Sequence, residues 1–319
     1  MSLKDIKEAY KHIKNIANKT PIMTSRTLDK ITRASVFLKC ENFQRTGSFK
    51  FRGAYNTLSL LSPEEKRVGI ITHSSGNHAQ AISLAASILG IPATIVMPKD
   101  APIVKVNATR EYGANIVFCE NSLESRISTT NKIIFETNRV MIHPYDNNHV
   151  IYGQGTAAYE MIKEIGKLDL VLAPLGGGGL LSGTAISVKG LCPSACIIGV
   201  EPAIADDAYR SMKLGKIIPS NYPNTIADGL RTSLCDRTYN IIRKLVNEII
   251  TVSEREILEG MKFLWERLKT IVEPSGAVPL AALLSHKIET KGKKIGVIIS
   301  GGNVMLDDFF NSLEKKISS

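Results

Sequence analysis

Six bursts of apolar, largely β-branched residues restrict the fold of this chain more than any other feature of its sequence. They lie at 68–73, 93–98, 115–120, 168–175, 196–202 and 294–302. Their apolar residues run on rather than alternate, the pattern of parallel strands covered on both faces. Helical periodicity fills most of the spaces between, predicting helices over about 76–89, over 105–112, up to about 138 and from 181 onward. Such strand–helix alternation indicates an α/β architecture built on parallel sheets. At 319 residues the chain is also long for one compact core. Three strand–helix units between 68 and 139 can form a small lobe, and residues 1–60 and 148–319 would then build a larger one.

Composition narrows the class. With 44% hydrophobic and 22% charged residues the chain matches ordinary soluble globular proteins. No apolar run approaches the roughly 18 residues of a membrane span. The polar N-terminal segment lacks the apolar centre of a secretory signal. Five scattered cysteines, Cys192 and Cys196 among them, fit reduced thiols in a cytoplasmic protein rather than a disulfide framework or a zinc site. The formal charge of +10 is spread along the chain, with no basic run interleaved with aromatics. That distribution argues against a nucleic-acid partner and for a diffuse field that attracts anionic ligands.

Three segments carry the candidate chemistry. Lys50 sits in Ser48-Phe49-Lys50-Phe51-Arg52-Gly53-Ala54, where alone it reads more readily as an ordinary surface lysine. Gly176, Gly177, Gly178 and Gly179 follow a buried strand and precede a helix. Residues without Cβ let successive N–H groups converge on an anion at the positive end of a helix, which makes a phosphate cradle. It is neither a P-loop, since no Gly-Lys-Ser/Thr follows, nor the dinucleotide pattern. Ser300-Gly301-Gly302-Asn303 closes the last strand, at the end where open α/β sheets bind ligands.

Together these segments resemble the fold type II pyridoxal 5′-phosphate (PLP) enzymes, of tryptophan synthase β-like architecture, and within them the serine/threonine dehydratase and serine racemase family. The resemblance runs from about 20 to 306. It implies two open parallel-sheet lobes with PLP in the cleft between them. It further implies Lys50 as the Schiff-base lysine, Gly176 to Gly179 around the phosphate, Asn77 at the ring 3-hydroxyl and Ser300 at the pyridine nitrogen. Phe51-Arg52 after the lysine departs from the Asp-Arg of the sulfhydrylase branch. The lysine amine must be neutral to form an imine, and partial desolvation supplies that.

Ser74-Ser75-Gly76-Asn77-His78 opens a predicted helix, where N–H groups and the Ser74 hydroxyl suit an amino-acid carboxylate; helix capping by Ser75 or Asn77 is the plainer and compatible reading. Ser75 matches family racemases and hydroxyaspartate ammonia-lyases alike. It is the candidate second acid–base group, opposite Lys50 across a planar carbanion. Arg126, Arg231 and Thr232 face the substrate by resemblance, and an arginine fork suits a second carboxylate, although each arginine reads equally as a surface ion pair. Tyr145 replaces the asparagine of animal serine racemases and follows the dehydratase pattern.

The implied reaction is ammonia-lyase chemistry. A small β-hydroxy amino acid (L-threonine, L-serine or 3-hydroxyaspartate) would give a 2-keto acid and ammonia by α-proton abstraction and β-elimination. Serine racemisation is a second activity or an alternative main one, and a non-catalytic PLP-binding protein is a remote one. Glu201, the Ala205 carbonyl and Asp207 match a family site for Mg²⁺, Ca²⁺ or Mn²⁺, an all-oxygen set of the kind hard cations prefer. Helix capping by Asp206 or Asp207 is the plainer account. The chain stops soon after Asn303, so no regulatory domain is expected, and a homodimer is expected by resemblance.

Overall fold

The computed structural model describes residues 1–101, 103–221 and 223–306. Among the described residues ten strands form two sheets. The larger contains β1 (Ile22–Met23), β2 (Ser35–Cys40), β7 (Leu170–Pro174), β8 (Cys196–Pro202), β9 (Glu248–Val252) and β10 (Lys294–Ile299). The smaller contains β3 (Ile70–His73), β4 (Ala93–Pro98), β5 (Asn115–Cys119) and β6 (Val140–Met141). The large sheet runs β1-β2-β10-β7-β8-β9 and the small one β5-β4-β3-β6. Every pairing is parallel except β1 with β2. The expected α/β architecture with two parallel-sheet lobes is therefore what the chain adopts, and each of the six bursts contains a strand.

β10, the last strand in sequence among the described residues, lies in the middle of its sheet. Lys294 pairs with Ser35 and Ile299 with Cys40 on one side, while Ile295 pairs with Leu170 on the other. Its five residues after Lys294 are all buried. β8 and β10 contribute Ile198, Val200, Ile295, Val297 and Ile299 to the core under the Pro274–Leu284 helix.

Glycine contacts set the helix packing behind the cleft. A Cβ at Gly153 would stand 2.4 Å from the Arg52 carbonyl oxygen, and one at Gly53 would stand 2.7 Å from that of Val150. A Cβ at Gly155 would lie 2.6 Å from the Gly183 carbonyl oxygen. The Lys50–Ser59, Asn148–Ile165 and Gly179–Leu191 helices therefore touch backbone to backbone, an approach that any larger residue would block. Buried charge locks the same region. Arg52 bonds Glu41 through Nε at 2.7 Å and Glu160 through Nη1 at 2.8 Å, and Lys39 Nζ reaches Glu160 at 2.8 Å. All four side chains are buried. Two cations thus neutralise two carboxylates away from water, the arrangement that such burial demands.

All five cysteines are free. Among the described residues no helix is long and apolar enough to cross a membrane.

Candidate active site

The cleft is built where strands of both sheets end. β3 leads into Ser74–Asn77, β7 into the glycine run, β8 ends at Glu201–Pro202 and β10 leads into Ser300. The carboxyl ends of parallel strands leave room for ligands because the following helices splay away there.

Lys50 opens the Lys50–Ser59 helix and is held against the end of β10. Ser48 bridges Gly301, and the Phe49 amide donates to the Ser300 carbonyl at 3.0 Å. The amine is half-buried, lies 5.1 Å from the Phe49 ring centre and donates to the Pro144 carbonyl at 3.1 Å. Burial brings its pKa down to about 8, against the opposing pull of Glu273. Gln154, fully buried, donates from Nε2 to the same Pro144 carbonyl at 3.3 Å.

Neighbours crowd the glycine run. A Cβ at Gly177 would stand 2.3 Å from Tyr145 Cε1, and at Gly179 2.6 Å from Gln154 Oε1. Gly178 has φ +85°, and a Cβ there would meet Leu234 and Thr238 at 2.8 Å. Packing alone therefore requires glycine here. The mark of a ligand is different: no backbone carbonyl among the described residues accepts from the amides of Gly176, Gly177 or Gly178. Those free donors, the uncapped start of the Gly179–Leu191 helix and the unpartnered Gln154 Oε1 fit a phosphate cradle.

The Asn77–Leu89 helix begins behind Gly76, whose position offers no side-chain cap. Neither Ser75 nor Asn77 caps it, so the Asn77 and His78 amides stay available for a carboxylate, while that of Ala79 donates to the Gly76 carbonyl at 3.1 Å. The Ser74 hydroxyl accepts from the Gly76 amide at 3.3 Å, and Ser75 has no hydrogen-bond partner among the described residues. His78 Nε2 donates to the Ile142 carbonyl at 3.1 Å, leaving a buried, unpartnered Nδ1 lone pair. Burial, and then the Lys50 charge, hold His78 well below the ordinary imidazole range. Burial, and then His73, bring His143 down to about 4. Burial with Arg126 nearby lowers His73 as well. The imidazoles around Lys50 are therefore neutral at pH 7 and add no charge to its surroundings.

The remaining candidates divide. Arg126 comes near enough to His73 to influence it, and its Nε has only a 3.3 Å contact with the Ser122 carbonyl of its own helix. Arg231 is exposed and spends its guanidinium on the Thr225 carbonyl at 2.5 and 3.2 Å. Burial pushes the Tyr145 hydroxyl up to about 12, outweighing the lowering influence of Thr232 close by, so it stays protonated. Glu201 accepts from the Ala208 and Tyr209 amides at 3.3 and 2.8 Å, which makes it the anchor of the Asp207–Leu214 helix. Asp206 and not Asp207 takes the cap position, without a side-chain capping bond. Both Asp207 oxygens are buried without a partner at bonding geometry, the Ser220 hydroxyl being close. Burial raises Asp207 to about 6, and burial with Asp207 beside it raises Glu201 well above the carboxylate range. Among the described residues no cluster of three or more His, Cys, Asp or Glu could hold a metal. Two buried carboxylates with an orphaned pair of oxygens nonetheless fit a hard cation whose other ligands are carbonyl and water.

Two site residues escape the sequence reading, Gln154 and Glu273. Glu273 is buried directly before the Pro274–Leu284 helix and accepts from Asn77 Nδ2 at 2.8 and 3.0 Å. Burial raises its pKa to about 7. The available signal was a lone acid ahead of Pro-Ser-Gly and a wholly apolar helix; an acid before a helix start usually means no more than a cap.

Comparison with known proteins agrees with this geometry. The family model described as pyridoxal-phosphate dependent enzyme matches residues 13–301. An L-threo-3-hydroxyaspartate ammonia-lyase of Pseudomonas sp is 47% identical over 314 residues, 98% of each chain. The solved structure of maize serine racemase superposes with a TM-score of 0.97 at 42% identity, covering 99% of this chain and 98% of that one. The serine racemase of Dictyostelium discoideum superposes at 0.92 and is 46% identical, over 96% of this chain and 99% of that one. With its lysine, its glycine cradle and a match spanning nearly its whole length, the chain belongs to the family of pyridoxal-phosphate-dependent enzymes.

Proposed function

We propose that the chain is an ammonia-lyase for small β-hydroxy amino acids, 3-hydroxyaspartate, serine and threonine being the substrates to test. The observation that carries this reading is the Lys50 amine, brought to about 8, in one cleft with an uncapped helix start at Asn77. Bound PLP supplies an electron-withdrawing ring that makes the α-proton acidic. Gly176 to Gly179 hold its phosphate and Ser300 faces its ring nitrogen. The Asn77 and His78 amides, with Ser74 and Gly76, take the substrate carboxylate. Lys50 removes the α-proton and, as the ammonium so formed, gives a proton to the β-hydroxyl, which departs as water. The enamine that is released hydrolyses to a 2-keto acid and ammonium. Ser75, with its unengaged hydroxyl, stands as the second proton carrier for racemisation. Tyr145 in place of asparagine supports elimination as the main outcome. Arg126, short of partners, suits the second carboxylate of 3-hydroxyaspartate better than Arg231, whose Nε and Nη2 are turned onto the Thr225 carbonyl.

Residues 68–139 act in this reading as the lobe that closes on substrate, against 1–60 and 148–319. Glu201, the Ala205 carbonyl and Asp207 bind Mg²⁺ or a similar cation, and the working form is a cytoplasmic homodimer. The test is a substrate panel scored for keto acid and D-amino acid together, with and without Mg²⁺. Wild type is expected to release keto acid from at least one β-hydroxy amino acid, Lys50→Ala to release none, and Ser75→Ala to lose D-serine formation selectively. No keto acid from any member of the panel sinks the proposal.

A further inference from the structure

Asn77 does not choose its own orientation. Asn303 Nδ2 donates to the Thr46 carbonyl at 2.7 Å and to Asn77 Oδ1 at 2.8 Å. A backbone carbonyl only accepts, so turning the Asn303 amide over would set oxygen against oxygen. With Oδ1 engaged, Asn77 Nδ2 faces Glu273; one N–H shared between the two carboxylate oxygens, at 2.8 and 3.0 Å, leaves the second N–H for another acceptor. A carboxylate likewise only accepts, and with its pKa at about 7 Glu273 still offers an accepting oxygen when protonated, so Asn77 is held from both sides. The backbone is shaped for these two partners. A Cβ at Gly47, φ +70°, would stand 2.3 Å from Asn303 Oδ1, and one at Gly301 would stand 2.5 Å from Glu273 Oε1. The Glu273 amide is itself pinned to the Gly301 carbonyl at 3.1 Å. Asn77 opens a helix of the small lobe, whereas Glu273 and Asn303 belong to the large one.

We propose that Asn303 and Glu273 are positioning residues that fix Asn77 as a hydrogen-bond donor toward the ring 3-oxygen of bound PLP, an inference resting on the assignment of Asn77 to that oxygen. An N–H partner favours the anionic oxygen over the hydroxyl. The chain Thr46–Asn303–Asn77–Glu273 thereby sets the ionisation of the cofactor, and does so only while the two lobes are together.

The experiment is a pH titration of the visible absorption band of PLP-loaded protein, with the PLP dissociation constant measured by fluorescence, for wild type, Asn77→Ala, Asn303→Ala, Glu273→Leu and Glu273→Gln. Asn303→Ala and Glu273→Leu are expected to raise the band's titration midpoint by about one pH unit and to weaken PLP binding by about tenfold, the scale of one lost hydrogen bond. Glu273→Gln keeps an acceptor for Asn77 Nδ2 and is expected to titrate near wild type. If Asn77→Ala shifts the midpoint while Asn303→Ala and Glu273→Leu do not, the positioning role is overturned. If Asn77→Ala itself leaves the midpoint unmoved, Asn77 is not the ring partner and the premise fails first. Should Glu273→Leu fail to fold, Asn303→Ala decides the question alone, since Asn303 is only partly buried.

Discussion

The surroundings of Lys50 remove water, and the imidazoles among them add no charge. The neutral imidazoles of His78 and His143 leave Glu273 as the single opposing influence on its pKa. A depressed ammonium pKa means that the reactive neutral amine is the majority form above about 8 and becomes scarcer as pH falls below it. PLP uptake by the apoprotein is therefore expected to quicken about tenfold per pH unit on the acid side and to level off above about pH 8. Stopped-flow absorbance checks it, and a rate that ignores pH between about 6 and 9 contradicts the assignment. The lysine and the glycine run were legible because rare residue types crowd into short segments. Gln154 and Glu273 were not, because each acts through one side chain placed by the fold and carries no local signature.

Elements read well from sequence where their burial is apolar. The six bursts contain six of the strands. β2 was missed because Lys39 interrupts its apolar run, and β9 because Glu248 heads it and only Ile249, Ile250 and Val252 of it are apolar. Lys39 turns out to be fully buried, its charge answered by Glu160 from the Asn148–Ile165 helix. A residue that looks solvent-facing in one dimension is internal in three, and only the partner reveals it. β1 and β6, two residues each, are too short to show any periodicity. The same buried charges make a prediction about the helix that begins at Lys50. Arg52→Met leaves Glu41 and part of Glu160 without a counter-ion and is expected to destabilise the protein by about 3–5 kcal/mol. Thermal melting reads it out; an unchanged midpoint would mean that the carboxylates find other partners or take up protons at little cost.

At the scale of the molecule, contacts across the cleft join the lobes. Beside the amide chain at Asn77, Lys105 on the Ile103–Glu111 helix reaches Asp228 at 2.8 Å, next to the loop that carries Arg231 and Thr232. Asp228 is 47% exposed, so water and salt screen much of this pair. Lys105→Met is expected to lower kcat/KM by no more than about fivefold, and the wild-type advantage should shrink as salt is added. A loss insensitive to ionic strength would point to packing rather than charge. The pair and the amide chain differ in kind: one is exposed and adjustable, the other is enclosed and fixes orientation.

The central place of β10 has a consequence for how the protein is made. Ser35 and Leu170 leave the ribosome long before Lys294 and Ile295, the residues that must lie between their strands. At ordinary rates of synthesis that interval lasts on the order of tens of seconds. Throughout it β2 and β7 expose edges that only β10 can cover, so the nascent chain is open to mispairing and in need of chaperones. The Ser48–Gly301 bridge and the Phe49–Ser300 bond that hold the start of the Lys50 helix cannot form until β10 arrives.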